Sequence, residues 1–556
     1  MTFQPQNPLI VQSDNTALLE TVGPHYSEVR DALMRFAELV KSPEYVHTWR
    51  ITPLSLWNAA ASGLTADAVV ETLERWAKFP VPESVPTTIR STMERYGRLT
   101  LLRDGDWLRL EADDDVLMLE LRHLKPLADL LGEPLGDNAQ RIHPRRRGEL
   151  KQVLVHLGHP VRDLAGYDDG DALEMGLADT LPDGSPLGLR PYQREAVDAF
   201  MGSPGQGGGC GVVVLPCGAG KTLVGIGAMI SLGMRTLILC TGNTALRQWK
   251  REILEKTTLT EADVGEYTSR VKEIRAVTLT TYQILTWRRD RRSEPPHLKV
   301  FHQANWGLIV YDEVHLLPAP IFRETAWLQA RRRLGLTATL IREDGLETDV
   351  FALVGPKRFD MPWRRLERQG WIATARCVEV RVGLSDADRV KYATASDKIR
   401  FRVASTNPRK GPVVEQLIER HAGEPTLVIG TYIDQLKWLG HRIGFPVITG
   451  KTPAKTRERL YEDFKAGREP VLGLSKVGNF SVDLPDAAVA IQISGTFGSR
   501  QEEAQRLGRI LRPKSDGRDA TFYTLVTAES REQDFAERRQ LFLTEQGYPY
   551  RIEVGT

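Results

Sequence analysis

Cysteine is scarce in this chain of 556 residues, and the four present, Cys210, Cys217, Cys240 and Cys377, are scattered without a CxxC pair or a histidine cluster. Neither a zinc site nor a disulfide framework is indicated. Long apolar runs are missing too: no stretch approaches the ~18–20 residues that span a bilayer. The N-terminus, MTFQPQNPLIVQ, lacks a basic start followed by a hydrophobic segment, so no secretory signal is read and a cytoplasmic protein without a membrane partner is expected. Charge of one sign is not in excess, because 74 Lys and Arg against 72 Asp and Glu leave a net charge of +2. Nucleic-acid binding therefore has to come from local basic surface and not from a global positive field. With 41% hydrophobic and 26% charged residues and a mean hydropathy of −0.30, the composition is that of a globular protein. The length allows about three to four domains at ~150 residues each.

What is present is organised around residues 211–224, GVVVLPCGAGKTLV. An apolar run, a turn of small residues and then Lys-Thr opening an amphipathic segment predict a buried strand, a glycine loop and a helix. Gly218, Ala219 and Gly220 let successive backbone N–H groups converge on a phosphate chain at the helix N-terminus. Lys221 is placed to reach the β- and γ-phosphates, and the Thr222 hydroxyl to hold Mg²⁺. The usual phosphate-loop pattern starts with glycine five positions before Gly220, where this chain has Leu215. Cys217, inside the loop, reads as a small filler residue, although a helix N-terminus can also make such a thiol reactive.

Residues 1–130 mix short strand-like stretches with helical patterns. Ser62-Gly63-Leu64-Thr65 ends one helix and caps the next at Thr65. Helices followed by a strand pair near residues 96–110 suggest a small winged-helix-like module, for docking or for packing. Residues 141–151, RIHPRRRGELK, form a basic cluster that reads either as a DNA contact or as a solvated face. Residues 168–189, rich in Gly, Asp and Pro, read as a connection. From Leu189 onward, apolar strands alternate with helices in two series, the second beginning near Trp371, which predicts two parallel sheets covered on both faces with a cleft between them.

The second series of clues is chemical. WGLIVYDEVH at 306–315 ends a buried strand in Asp312 and Glu313, where parallel sheets bind their ligands. Asp312 suits a Mg²⁺ ligand beside Thr222, and Glu313 a base for the attacking water. Gln505, Arg509 and Arg512 in QRLGRILR share one helical face, from which the arginines can stabilise transition-state charge as the cleft closes. In LRPYQ, Arg190 and Gln193 precede the phosphate loop by one helix, and a Gln amide there can select adenine by donating and accepting. Ser475 and Asp483 lie in SKVGNFSVDLP, a loop facing the same cleft. Thr337-Ala338-Thr339 ends a strand and offers hydroxyls to link the nucleotide site to the other domain.

LRPYQ, LPCGAGKT, TLTTYQ, YDEVH, LGLTATL, GNFSVDLP and QRLGRILR stand in the order of superfamily 2 helicase motifs across residues 189 to about 527. DEVHLLPAPIFR, LGLTATLIREDG, IQISGTFGSRQEEAQRLGRILRPK and the N-terminal ITPLSLWNAAASGL through RYGRLTLL resemble the XPB (xeroderma pigmentosum group B) type of DNA repair helicase over nearly the whole chain. The resemblance implies an α/β fold of two tandem RecA-like parallel-sheet domains, 189–365 and 366–556, preceded by a small α+β N-terminal region, 1–130, and a damage-recognition-like segment and linker, 131–188. It implies a DNA-dependent ATPase with 3′-to-5′ polarity, using ATP and Mg²⁺, acting on single-stranded and forked or distorted DNA with a nuclease or repair-assembly partner, in the cytoplasm at the nucleoid. Arg342, Glu343 and Asp344 match the family's RED motif at the DNA junction. Gly242, Arg247, Thr281 and Ser475 fall on the expected DNA track. Residues 384–407 occupy the place of a thumb-like insertion and look short. A nucleotide-switched DNA-remodelling scaffold and an RNA helicase are the alternatives, the latter separable by 2′-OH contacts.

Overall fold

Where apolar runs end in glycine turns, the chain forms strands buried on both faces, and two such series build two parallel sheets in the computed structural model. The structure describes residues 3–43, 45–202, 208–216, 218–290, 293, 295–329, 331–338, 347–371, 375–475, 487–495, 520–545, 548 and 550–555. The first parallel sheet is made of β9 (Cys210–Val214), β10 (Thr236–Cys240), β11 (Val264–Tyr267), β12 (Val277–Thr281), β13 (Leu308–Asp312), β14 (Arg332–Thr337) and β15 (Lys357–Asp360), in the order β11-β12-β10-β13-β14-β9-β15. The second is made of β16 (Ala375–Val382), β17 (Thr426–Ile429), β18 (Val447–Ile448), β19 (Val471–Leu474), β20 (Val489–Gln492), β21 (Ala520–Thr527) and β22 (Tyr550–Gly555), in the order β18-β19-β17-β20-β21-β16-β22. Every residue of β9, β10 and β12 is buried, as strands covered by helices on both faces require. The edge strands β15 and β22 carry charged residues and are only partly buried, so no apolar run in the sequence marks them.

Ahead of these sheets, an antiparallel sheet of β1 (Leu9–Val11), β2 (Thr16–Glu20), β3 (Glu38–Lys41) and β4 (Val46–Arg50) runs in the order β1-β2-β4-β3. Its helical cover includes α1 (Pro53–Ala61), which starts with a capping box between Thr52 and Ser55 and with Pro53 in the first turn, a strong local start signal. The Thr65 side chain caps the next helix through Ala68 N at 3.2 Å. A second small sheet joins β5 (Leu99–Asp104), β6 (Trp107–Ala112), β7 (Ala139–Ile142) and β8 (Val161–Asp163) in the order β7-β6-β5-β8.

That second sheet corrects three expectations. A division at 130/131 cuts through it, because β6 pairs with β7 and β5 with β8. The strand pair near 96–110 belongs to this sheet and not to a winged-helix unit with the preceding helices. The basic stretch 141–151 is not one solvated or DNA-facing surface: in α2 (Arg147–His156), Arg147 and Lys151 are buried and both pair with Asp163, at 2.7 and 2.9 Å. Two buried cations and one carboxylate form a structural cluster that holds the Asp163 carboxyl well below the usual range despite its burial.

The small units are docked on the first parallel sheet. A Cβ on Gly148 would lie 2.3 Å from Ala326 O, so glycine permits backbone contact between α2 and that domain. Gln152 Nε2 donates to Asp349 Oδ1 at 2.8 Å, and Lys357 N donates to Asn58 Oδ1 at 2.8 Å. The connection 168–189 is pinned along the same domain by Asp169 to Arg332, 3.1 Å, and Asp171 to Arg235, 3.0 Å. In the second domain, residues 384–407 form two short helices that pack together, α6 (Asp386–Thr394) and α7 (Asp397–Ser405), followed by α8 (Lys410–Arg420). The last helix, α9 (Arg531–Glu545), touches α7 through Phe535 against Phe401, 5.2 Å between ring centroids. Its Leu541 is buried in the core of the N-terminal sheet. Among the described residues, no helix is long and apolar enough to cross a membrane.

Candidate nucleotide site

Strand β9 delivers the glycine loop, and α4 (Lys221–Leu232) follows α3 (Pro191–Met201) in sequence and packs beside it. Gly218 and Gly220 take φ values of +84° and +78°, a left-handed conformation that favours glycine. Gly220 is constrained twice, because a Cβ there would also lie 2.5 Å from Gln193 Nε2. The loop is braced from behind: Tyr192 Oη and Gln193 Nε2 both donate to Ala219 O, at 2.9 and 3.0 Å. Gln193 Oε1 accepts from Arg190 N at 2.9 Å, and the side chain is 2% exposed. The structure therefore gives Gln193 a role in shaping the loop; its amide faces protein groups and not an open base pocket. The Arg190 guanidinium lies over Trp371, 4.4 Å from the ring centre. Cys217 lies outside the described residues.

The carboxyl end of β13 brings Asp312 and Glu313 to this loop. Lys221 Nζ sits 3.2 Å from Glu313 Oε1, and both side chains are nearly buried. Glu313 Oε2 accepts no hydrogen bond among the described residues and has His315 Nδ1 3.5 Å away. Glu313 is also left-handed, with φ +50° and ψ +57°, which costs a non-glycine residue ~1–2 kcal/mol. Burial pushes the Asp312 carboxyl up to about 7, with the Glu313 charge adding to the shift. Burial also acts to raise Glu313, but the Lys221 ammonium and His315 outweigh it and hold its carboxyl below the ordinary range. The neighbouring carboxylates are thus driven apart, Glu313 ionised and Asp312 in need of a cation. Asp312 and the Thr222 hydroxyl, at the start of α4, have the donor chemistry that Mg²⁺ takes alongside phosphate oxygens and water.

Thr337, at the end of β14, has its hydroxyl 2.6 Å from His315 Nδ1, so it ties the carboxylate turn to β14. Of the expected DNA-track residues, Gly242 precedes α5 (Asn243–Lys256) at the end of β10 and Arg247 is exposed on that helix. Thr281 ends β12, but it is 3% exposed and its hydroxyl caps the following turn through Ile284 N at 3.3 Å, so the side chain serves the backbone. Ser475 follows β19 with its hydroxyl buried and without a partner among the described residues. Arg342, Glu343, Asp344, Asp483, Gln505, Arg509, Arg512 and Thr339 lie outside the described residues.

Two side chains that the motif reading passes over belong to the site. Trp249 Nε1 on α5 donates to Asp312 Oδ2 at 3.2 Å, and Tyr282 Oη donates to Asp312 O at 2.8 Å. The signal in the sequence is weak: an aromatic residue on an amphipathic helix, and another just past a strand, read as core.

A phosphate loop facing strand-end carboxylates, on the first of two tandem parallel sheets, defines the class: a nucleotide-driven motor built on two RecA-like domains. Comparison with known proteins narrows it. A family model described as ERCC3/RAD25/XPB C-terminal helicase matches residues 366–555, one described as type III restriction enzyme, res subunit, matches 186–342, and one described as helicase conserved C-terminal domain matches 9–135, the antiparallel N-terminal region. A protein of Kineococcus radiotolerans named DNA 3′-5′ helicase XPB is 55% identical over 98% of this chain and 96% of its own. Its namesake in Mycobacterium tuberculosis is 52% identical over 98% and 97%. The Saccharomyces cerevisiae general transcription and DNA repair factor IIH helicase/translocase subunit XPB/SSL2 is 31% identical over 98% of this chain and 71% of that one. The chain belongs to the XPB family of DNA 3′-5′ helicases. Among solved structures, the DNA-bound ATP-dependent Type ISP restriction-modification enzyme LlaBIII shares the fold, with a TM-score of 0.50 at 13% identity over 66% of this chain and 31% of that one.

Proposed function

We propose that this chain hydrolyses ATP to translocate on or open DNA with 3′-to-5′ polarity in DNA repair. The observation that carries the reading is the meeting of Lys221 and Glu313 at 3.2 Å beside Asp312, in a member of a family whose relatives are named for this activity. Lys221 and the loop amides of Gly218, Ala219 and Gly220 bind and orient the phosphates. Thr222 and Asp312 would hold Mg²⁺, which would supply positive charge to the phosphate oxygens. Glu313 Oε2, with a lone pair to spare, takes the proton of the attacking water. Arg509 and Arg512 complete the site from the second domain, with Gln505 and Asp483 on the same side of the cleft, so turnover requires closure. Gln193 shapes the phosphate loop from behind through Ala219 O, and Arg190 lines the approach for the base. DNA runs past Gly242, Arg247, Thr281 and Ser475, held mainly by its phosphates, with Arg342, Glu343 and Asp344 at the strand junction. The work is done in the cytoplasm at the nucleoid, with a nuclease or repair-assembly partner; the Saccharomyces cerevisiae relative is named as a subunit of a transcription and DNA repair factor.

Strand displacement on duplexes with 3′ or 5′ tails, compared with RNA equivalents, tests the reading. Mg·ATP-dependent opening of 3′-tailed DNA is the expected result. Preference for 5′ tails overturns the polarity, preference for RNA overturns the substrate, and no ATP turnover with any DNA overturns the motor.

A further inference from the structure

Asp312 is held from two directions by the elements that lead to the proposed DNA track. Helix α5 follows Gly242, exposes Arg247 and, two residues later, turns Trp249 inward until it is 2% exposed. The indole N–H donates to Asp312 Oδ2 at 3.2 Å. Strand β12 ends in Thr281, and the next residue, Tyr282, donates to the backbone oxygen of Asp312 at 2.8 Å. The indole has a slot cut for it. A Cβ on Gly225, in the middle of the phosphate-loop helix α4, would lie 2.5 Å from Trp249 Cη2 and 3.3 Å from Leu336 Cδ1 on β14. Glycine inside a helix costs ~1 kcal/mol relative to alanine, so this one is explained by close approach and not by helix formation. Indole nitrogen is a donor only; it can favour the ionised carboxylate and fix which oxygen faces the phosphate loop, but it cannot take a proton from it.

We propose that Trp249 is a positioning residue that couples the DNA track to the nucleotide site, with Tyr282 as its backbone counterpart. Movement of α5 against DNA is passed by one rigid ring to α4, to β14 and to the Asp312 carboxylate. Binding of DNA then sets the orientation of that carboxylate, and binding of nucleotide at Asp312 sets α5. Such coupling is reciprocal in affinity. The proposal rests on the ATP-driven reading above.

The test uses the full chain and two variants, Trp249→Phe, which keeps an aromatic ring and loses the donor, and Gly225→Ala, which keeps the donor and displaces the ring. Affinity for fluorescent single-stranded DNA is read by anisotropy with and without a non-hydrolysable ATP analogue and Mg²⁺, and ATPase rate with and without DNA. In the unaltered chain, DNA stimulates turnover and the analogue shifts DNA affinity. In both variants the stimulation and the affinity shift shrink together, by about tenfold for loss of a hydrogen bond to a charged group, while DNA affinity without nucleotide is kept. Glu255→Gln, a change on the exposed face of the same helix, keeps both. If either folded variant retains the full stimulation and the full affinity shift, Trp249 does not couple the sites. If the unaltered chain shows no stimulation by DNA, it is the ATP-driven reading that fails.

Discussion

Replacing Glu313 by Gln isolates one charge at the centre of the site. The substitution keeps side-chain length, and it keeps whatever strain the left-handed backbone at φ +50° imposes, so folding is not the variable. Gln can still accept from Lys221, which stands 3.2 Å from Oε1, so nucleotide binding is retained. What disappears is the anionic oxygen, Oε2, that accepts no hydrogen bond among the described residues and can take a proton. General-base catalysis contributes ~10²–10⁴-fold, equivalent to about 3–5.5 kcal/mol at the barrier. Phosphate release at saturating Mg·ATP and single-stranded DNA is expected to fall by that factor, while binding of a fluorescent ATP analogue changes by less than about threefold, the scale of a small difference in binding energy. Turnover within about tenfold of the unaltered chain, below the range general-base loss produces, with binding intact, refutes the assignment.

Other consequences follow from buried charges and from the DNA track. Glu532→Gln leaves the Lys410 ammonium, itself fully buried and 2.8 Å from that carboxylate, without its counter-charge; the loss of about 3–5 kcal/mol lowers the thermal transition of the second domain by about 6–20 °C at ~2–4 °C per kcal/mol, and a shift under about 2 °C in calorimetry would contradict the burial argument. His47, 7% exposed, has its pKa lowered to about 4, chiefly by burial and then by the Arg30 guanidinium. Its unfolded pKa is ~6.5, so below that the unfolded chain binds the extra proton and stability falls as pH drops from about 6.5 toward about 4. Denaturation curves of His47→Gln should lose less stability over that window, and parallel pH dependences would show that His47 is not the group. DNA-stimulated ATPase should decline steeply as salt rises, through displacement of phosphate contacts; stimulation that is insensitive to salt would argue against a track of phosphates.

The sequence by itself determined the two parallel sheets and the glycine loop, because both are local patterns. An apolar run bounded by glycine makes a strand buried on both faces, and Gly218 and Gly220 announce a left-handed turn before Lys221. Asp312 and Glu313 were legible for the same reason, as charged residues closing an apolar strand. The edge strands β15 and β22 were not legible, since half-exposed strands keep their charges.

Tertiary structure decided whatever depends on partners distant in the chain. A short run of basic residues does not reveal that Arg147 and Lys151 close on Asp163, or that β7 and β8 complete a sheet begun by β5 and β6. Gln193 offers an amide to any neighbour, and only the packing of α3 on the loop turns it toward Ala219 O. Trp249 reads as core on an amphipathic helix, and it is core; its N–H acquires a use because Gly225 lets the ring approach and β13 ends within reach. Directional bonds between residues far apart in sequence leave no period behind them, so they become visible only when the chain is folded.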